Sequence, residues 1–210
     1  TGSLGHVTQQ AVNILGRSDI IMVPKKGSEK SDLADLRYQI CHQLLGSKRP
    51  PIFEFDIPKR ASEGEYLENV DNWHEAIAHA WKSTIDRARL TQKQTVKKVA
   101  LMVWGDPSLY DSTLRIAERL DPIPSVKVVP GITSIQALAA AHQIPINDLG
   151  ASFLVTTGRR LLEEGFPKEY NKVVVMLDGN CSFNSLKGDN FYIWWGAYLG
   201  MPNQIICSGN

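Results

Sequence analysis

Val99-Ala100-Leu101-Met102-Val103-Trp104-Gly105-Asp106-Pro107-Ser108-Leu109-Tyr110-Asp111 is an apolar run that stops at Gly-Asp-Pro. It reads as a buried strand delivering a tight loop to the edge of a sheet. In open α/β sheets, ligands sit in the crevice beyond such strand ends. Val128-Val129-Pro130-Gly131-Ile132-Thr133-Ser134 repeats the arrangement: a strand, a sharp turn, then hydroxyl residues that open a helix. Two such loops predict a cleft for a small molecule with polar ends.

The sequence before this loop alternates strands and helices. Val7, Val12 and Leu15 mark a short helix that Thr8 can cap and Gly16 ends. Ile20-Ile21-Met22-Val23 is a short buried strand closed by Pro24, followed by a polar loop from Lys25 to Lys30. Ser31 opens a helix with Leu33, Leu36, Ile40, Leu44 and Leu45 on one face. Ile52–Ile57 alternates apolar and polar residues, as a half-exposed strand does. Tyr66, Val70, Trp73, Ile77, Trp81 and Ile85 recur at helical spacing. A helix around Thr113–Leu120 and a strand at Val126–Val129 complete this half.

After Ser134 the texture changes. One Ala-rich helix, Ile135–His142, precedes four strands: Phe153–Thr156, Val173–Leu177, Phe191–Trp195 and Ile205–Cys207. Scarce helices predict a separate sheet with more antiparallel pairing. The fold class is therefore α/β, in two α/β domains with a cleft between them. Residues 1–129 form the N-terminal α/β domain and 130–210 a C-terminal mixed-sheet α/β domain, joined at Pro130-Gly131.

The 210 residues can bury a sizeable core, and 43% hydrophobic with 21% charged residues is ordinary for a globular protein. A net charge of +1 gives no global field toward nucleic acid or membrane, so neither is expected as a partner. No apolar stretch is long enough to cross a bilayer and no secretory signal is visible. Cys41, Cys181 and Cys207 are far apart and odd in number, which predicts idle thiols in a reducing cytoplasm and no metal site.

Several residues have both a structural and a functional reading. Asp106 can cap the turn after Gly105 or accept a hydrogen bond from a ligand. Thr133 or Ser134 can cap the following helix or present that helix start to a carboxylate. Arg159-Arg160 can be a solvated face or a bidentate carboxylate clamp, with Lys25, Lys26, Lys30 and Arg37 adding cationic reach. Trp73 fits the apolar stripe, and His74 has no metal-ligating neighbour at suitable spacing. Phe191-Tyr192-Ile193-Trp194-Trp195-Gly196 is a packed strand or the wall of a planar site. Motifs for a P-loop, a serine-hydrolase elbow, a zincin and a dinucleotide fingerprint are absent.

Taken together, these motifs resemble the tetrapyrrole methylase family. The resemblance runs over nearly the whole chain. It is carried by Lys26-Gly27, Asp32–Arg37, Trp73-His74, Trp104–Thr113, Pro130–Leu138, Thr156–Arg160 and Trp195–Gly200. Thr1–Thr8 is similar to the tail of the glycine-rich loop with which the family opens.

The resemblance implies two α/β domains holding S-adenosylmethionine in the cleft between them. Gly105, Asp106 and Leu109 would form the cofactor loop, and Thr133 and Ser134 would meet the methionine or ribose portion. Leu177, with Met176 beside it, would pack near the adenine, which Gly196 would approach with backbone. The implied substrate is a carboxylate-rich tetrapyrrole, precorrin-5, methylated with loss of acetate. Arg37, Tyr110, Arg159 and Arg160 would contact it. Removing the acetyl group needs water activated near its carbonyl; the sequence assigns no residue to that step, Asp111 and His74 being the two considered. Family members often pair as homodimers. Another tetrapyrrole or a protein acceptor on the same fold, or a non-catalytic binding relic, are the alternatives.

Overall fold

The computed structural model describes residues 2–25, 31–61, 63–93, 95–186, 188 and 190–210, with the side chains of 31–33 set aside. Lys26, Gly27 and Lys30 of the polar loop lie outside the described residues. The chain forms two compact units, Thr1–Thr133 and Ser134–Asn210.

The first unit is built on a three-stranded parallel sheet in the order β2-β1-β3, with β1 at Ile20–Lys25, β2 at Ile52–Asp56 and β3 at Val99–Leu101. Strand β1 is central, and Ile20, Ile21, Met22 and Val23 are wholly buried. Side chains alternate across a strand, so those four residues feed two separate cores. Ile20 and Met22 pack with Phe55, Ile77, Trp81 and Ile116; Ile21 and Val23 pack with Leu15, Cys41 and Ala100. Burial on both faces explains why β1 is continuously apolar rather than alternating. Strand β3 pairs only as far as Met22, so Pro24 lies where β1 has become an edge and a missing N–H is tolerated.

Helices α1 (Gln9–Leu15) and α2 (Ser31–Leu45) supply the second core, and α3 (Tyr66–Gln92) and α4 (Thr113–Ala117) the first. Thr8 Oγ1 accepts the Ala11 N–H at 3.1 Å and so caps α1, a contact worth about 1 kcal/mol. The buried stripe of α3, His74, Ile77, Ala78, Trp81, Thr84 and Ala88, keeps helical spacing over four turns. Trp73 is half-buried beside it and its indole donates to the Pro58 carbonyl at 2.8 Å. Met22→Ala is expected to cost about 2–5 kcal/mol, because a fully enclosed site cannot collapse around the void. Urea denaturation reads this directly, and a loss below about 1 kcal/mol would contradict the two-core description.

Two expectations change here. Strand β3 ends at Leu101, so Met102 and Val103 already belong to the loop. Val126–Val129 is not a strand: Val126 and Val128 are exposed, and no described strand pairs with them. Strand propensity reflects fit to a half-buried pleated surface, and this segment has none.

In the second unit, α5 (Ser134–His142) precedes two small sheets rather than one. β4 (Leu154–Thr157) and β5 (Val173–Met176) are parallel; β6 (Ile193–Ala197) and β7 (Ile205–Gly209) are antiparallel. Between β4 and β5 lies an unexpected helix, α6, at Gly158–Glu164. Its sequence signal is a double i,i+4 pairing, Arg159 with Glu163 and Arg160 with Glu164. No helix among the described residues is long and apolar enough to cross a membrane. Cys41 is buried, Cys181 half-buried and Cys207 exposed, all as free thiols.

Candidate functional site

The loop leaving β3 is locked to the segment that precedes α5. Gly105 has φ +78°, a conformation that favours glycine, and its backbone lies against Thr133. Gly131 approaches closer still. A Cβ there would stand 2.1 Å from the Gly105 carbonyl oxygen, so only glycine lets the two backbones meet. Asp106 clips the same contact. Its Oδ2 accepts the Gly131 N–H at 2.8 Å, while Oδ1 accepts the Ser108 N–H at 2.8 Å and the Ser108 hydroxyl. The Ser108 hydroxyl, then the Gly131 and Ser108 amides, hold this carboxyl below the usual carboxylate range. The charge that favours the clip is therefore present above the ordinary carboxyl value of about 4 and is lost as pH falls through the lower folded value. The Leu109 N–H closes the turn on the Asp106 carbonyl at 3.2 Å. Thr133 is buried, Leu109 half-buried and Tyr110 exposed.

Arg37, expected at the substrate, instead lies beneath this loop. It is buried, its Nε donates to the Met102 carbonyl at 3.2 Å, and its guanidinium sits 4.4 Å over the Trp104 ring. Burial lowers it to about 10 while Asp111 opposes the shift, so it stays cationic at neutral pH. The contact joins α2 to Met102 and Trp104, within three residues of Gly105. The Trp104 indole N–H is buried with no partner among the described residues.

Further along the loop, Asp111 Oδ1 accepts the Thr113 N–H at 2.6 Å, and Ser112 Oγ lies 2.8 Å from His74 Nε2. His74 is buried, and burial first, then Arg119 and Arg115, lower its pKa. Among the described residues no cluster of His, Cys, Asp or Glu could hold a metal ion. The first unit thus gathers Gly105, Asp106, Leu109, Tyr110, Thr133 and Arg37 around one loop pair.

The second unit carries the other expected residues in three places. Met176 ends β5, and Leu177 follows with φ +53° and an exposed side chain. Asp178 then accepts from the Ser182 amide at 2.7 Å and the Ser182 hydroxyl at 2.6 Å, while its side chain packs against Gly158 so closely that a Cβ there would lie 2.6 Å away. Asp178 and Ser182 were not singled out in the sequence. The signal for them is Leu177-Asp178-Gly179-Asn180 at a strand exit, the same turn chemistry as Gly105-Asp106. Gly196 lies in β6, where a Cβ would meet Leu138 and Leu199 at 2.8 Å, and His142 Nε2 reaches the Trp195 carbonyl at 3.0 Å. Ser134 starts α5 and is exposed. Arg159 and Arg160 are exposed on α6 in their ion pairs with Glu163 and Glu164.

A strand-exit glycine locked by a carboxylate to a Pro-Gly-hydroxyl segment goes with a clear match along the sequence: the chain belongs to the Tetrapyrrole (Corrin/Porphyrin) Methylases, whose family profile matches residues 1–210. It is 42% identical over 214 residues to the precorrin-6A synthase [deacetylating] of a Sinorhizobium species, covering all of this chain and 80% of that protein. A crystal structure of a protein described as cobalamin synthesis related, CobF of Corynebacterium diphtheriae, is 37% identical with a TM-score of 0.79, over 100% of this chain and 82% of that one. The uroporphyrin-III C-methyltransferase of Thermus thermophilus, solved with S-adenosylhomocysteine, is 15% identical over 99% of this chain and 84% of that one. Its TM-score of 0.56 shows a shared fold.

Proposed function

We propose that this chain is an S-adenosylmethionine-dependent C-methyltransferase of cobalamin biosynthesis, converting precorrin-5 to precorrin-6A with release of acetate. The observation that carries this reading is the 42% identity, over the full chain, to a precorrin-6A synthase. The chain's own groups suit the cofactor. Hydroxyl and backbone groups at Gly105, Leu109, Thr133 and Ser134 fit an amino acid and a ribose, and apolar Met176 and Leu177 with the Gly196 backbone fit an adenine. When bound, S-adenosylmethionine supplies a methyl group on a sulfonium.

The protein's task is alignment of the acceptor carbon with that methyl group and exclusion of water. Asp106 serves this by holding Gly105 against Gly131, which fixes the backbone of both loops. Arg37 serves it from below through Trp104. Arg159, Arg160 and Tyr110 are the groups we assign to the substrate. Each arginine's exposed i,i+4 pair is worth only about 0.3–0.5 kcal/mol, so the carboxylates of a tetrapyrrole can displace the glutamates.

Calorimetric titration with S-adenosylhomocysteine tests the reading. The native chain is expected to bind, and Asp106→Ala to bind about tenfold or more weakly, the equivalent of one charge-assisted hydrogen bond. No binding by the folded native chain would overturn the methyltransferase reading. Binding without turnover of precorrin-5 would move the acceptor to another tetrapyrrole.

A further inference from the structure

The release of acetate needs a nucleophile for the acetyl carbonyl, a role that none of the cofactor and substrate groups fills. We infer that Ser112 is that nucleophile and His74 its base. This inference rests on the reading of the chain as a deacetylating methyltransferase.

One helix cap is not made. Ser112 occupies the N-cap of α4, where a serine hydroxyl ordinarily accepts an amide from the first turn. Here it makes no such bond. Asp111 accepts the Thr113 amide at 2.6 Å instead, and the serine hydroxyl turns to His74 Nε2 at 2.8 Å. The hydroxyl is thereby released from a structural duty and aimed at a base within proton-transfer distance.

The imidazole is suited to that role. It is buried on α3, and its surroundings disfavour the charged form, so it is neutral at pH 7. In the tautomer protonated on Nδ1, its Nε2 accepts the serine proton. The charged groups acting on it are Arg119 and Arg115, which oppose protonation, and Asp71, which favours it and is itself tied to Arg119. Ser112 is half-buried and lies three residues beyond Leu109 in the loop we assign to the cofactor. The acylation site would therefore stand on the same loop as the methyl-transfer machinery.

The chemistry balances in two steps. Ser112 Oγ attacks the acetyl carbonyl carbon and its proton passes to His74. The bond from that carbon to the macrocycle breaks, and its electron pair stays on the macrocycle carbon. An acetyl ester on Ser112 remains, and His74 gives its proton to solvent. Water then attacks the ester carbonyl, His74 takes one of its protons, and acetate leaves as Ser112 Oγ recovers a proton. The electron pair left on the macrocycle is the nucleophile that methylation consumes.

The test uses the full chain and p-nitrophenyl acetate, with no cofactor. Peptide mass spectrometry is expected to find one acetyl group on the peptide containing Ser112. Ser112→Ala should lose it, and His74→Gln should form it about 100-fold more slowly, the scale of general-base assistance. Acetylation absent from Ser112 in the native chain, or equally fast in His74→Gln, would overturn the assignment and leave direct attack by water. The native result decides the matter without relying on either variant. S-adenosylhomocysteine binding by the native chain is read separately, so loss of the methyltransferase reading and loss of the dyad give different outcomes.

Discussion

Gly131→Ala is expected to abolish S-adenosylhomocysteine binding and to destabilise the first unit. A Cβ at this position would stand 2.1 Å from the carbonyl oxygen of Gly105, and the obstacle is backbone rather than the end of a flexible side chain. The two loops must separate, which breaks the Gly131 N–H to Asp106 bond. Losing a hydrogen bond to a charged group costs about 1.5–3 kcal/mol, and forced overpacking adds about 1–3 kcal/mol. A total of about 2.5–6 kcal/mol should appear in urea denaturation. Affinity should fall more than about 100-fold in calorimetry, since the cofactor loop is displaced as a unit. Gly179→Ala is the control, because a Cβ there meets nothing within 4 Å and its φ is not positive. Equal behaviour of the two variants would show that the 105–131 contact is not what shapes the site.

The second large effect concerns Arg37. Arg37→Met keeps the aliphatic length but removes the charge and the donor. The Met102 carbonyl loses its 3.2 Å partner and Trp104 its stacked cation. An unsatisfied acceptor and a lost buried cation–π contact together cost about 2–4 kcal/mol. Arg37→Lys should recover little of this, because a single ammonium cannot both donate to the Met102 carbonyl and sit over the Trp104 ring. Trp104 provides the readout: its fluorescence should shift in Arg37→Met, and S-adenosylhomocysteine affinity should fall with it. Raised KM for the tetrapyrrole with unchanged cofactor affinity would instead return Arg37 to the substrate.

Where a single segment carried its own period or punctuation, its structure was readable in advance. Strand β1 was legible because four consecutive apolar residues between turn signals suit burial on two faces. Helix α3 was legible because Trp73, Ile77 and Trp81 repeat at helical spacing over a long stretch. The Gly105-Asp106-Pro107 turn announced itself by residue type, whereas Pro130-Gly131, which reads as a sharp turn, forms no turn or bend. Relations between segments were not legible. Nothing local distinguishes Val126–Val129 from a strand, since what it lacks is a neighbour. Arg37 reads in sequence as cationic reach toward a ligand for the same reason: burial against Trp104 depends on a residue 67 positions away. Helix α6 was hidden by reading Arg159-Arg160 as a pair, when each belonged with a glutamate four residues on. The Ser112–His74 contact joins two elements whose sequences give no hint of each other.

The unpaired Val126–Val129 segment bears on how the molecule folds. The Asp106–Gly131 bond joins residues 25 apart in the chain, and that interval includes α4 but no strand to hold its far end. Closing a loop of that length costs on the order of 3 kcal/mol of chain entropy, comparable to the bond that closes it. The interlock should therefore open far more often than β1 unfolds. A ligand that holds both loops adds its binding energy to this closure, so the amide hydrogens of Gly131 and Ser108 should exchange more slowly on saturation.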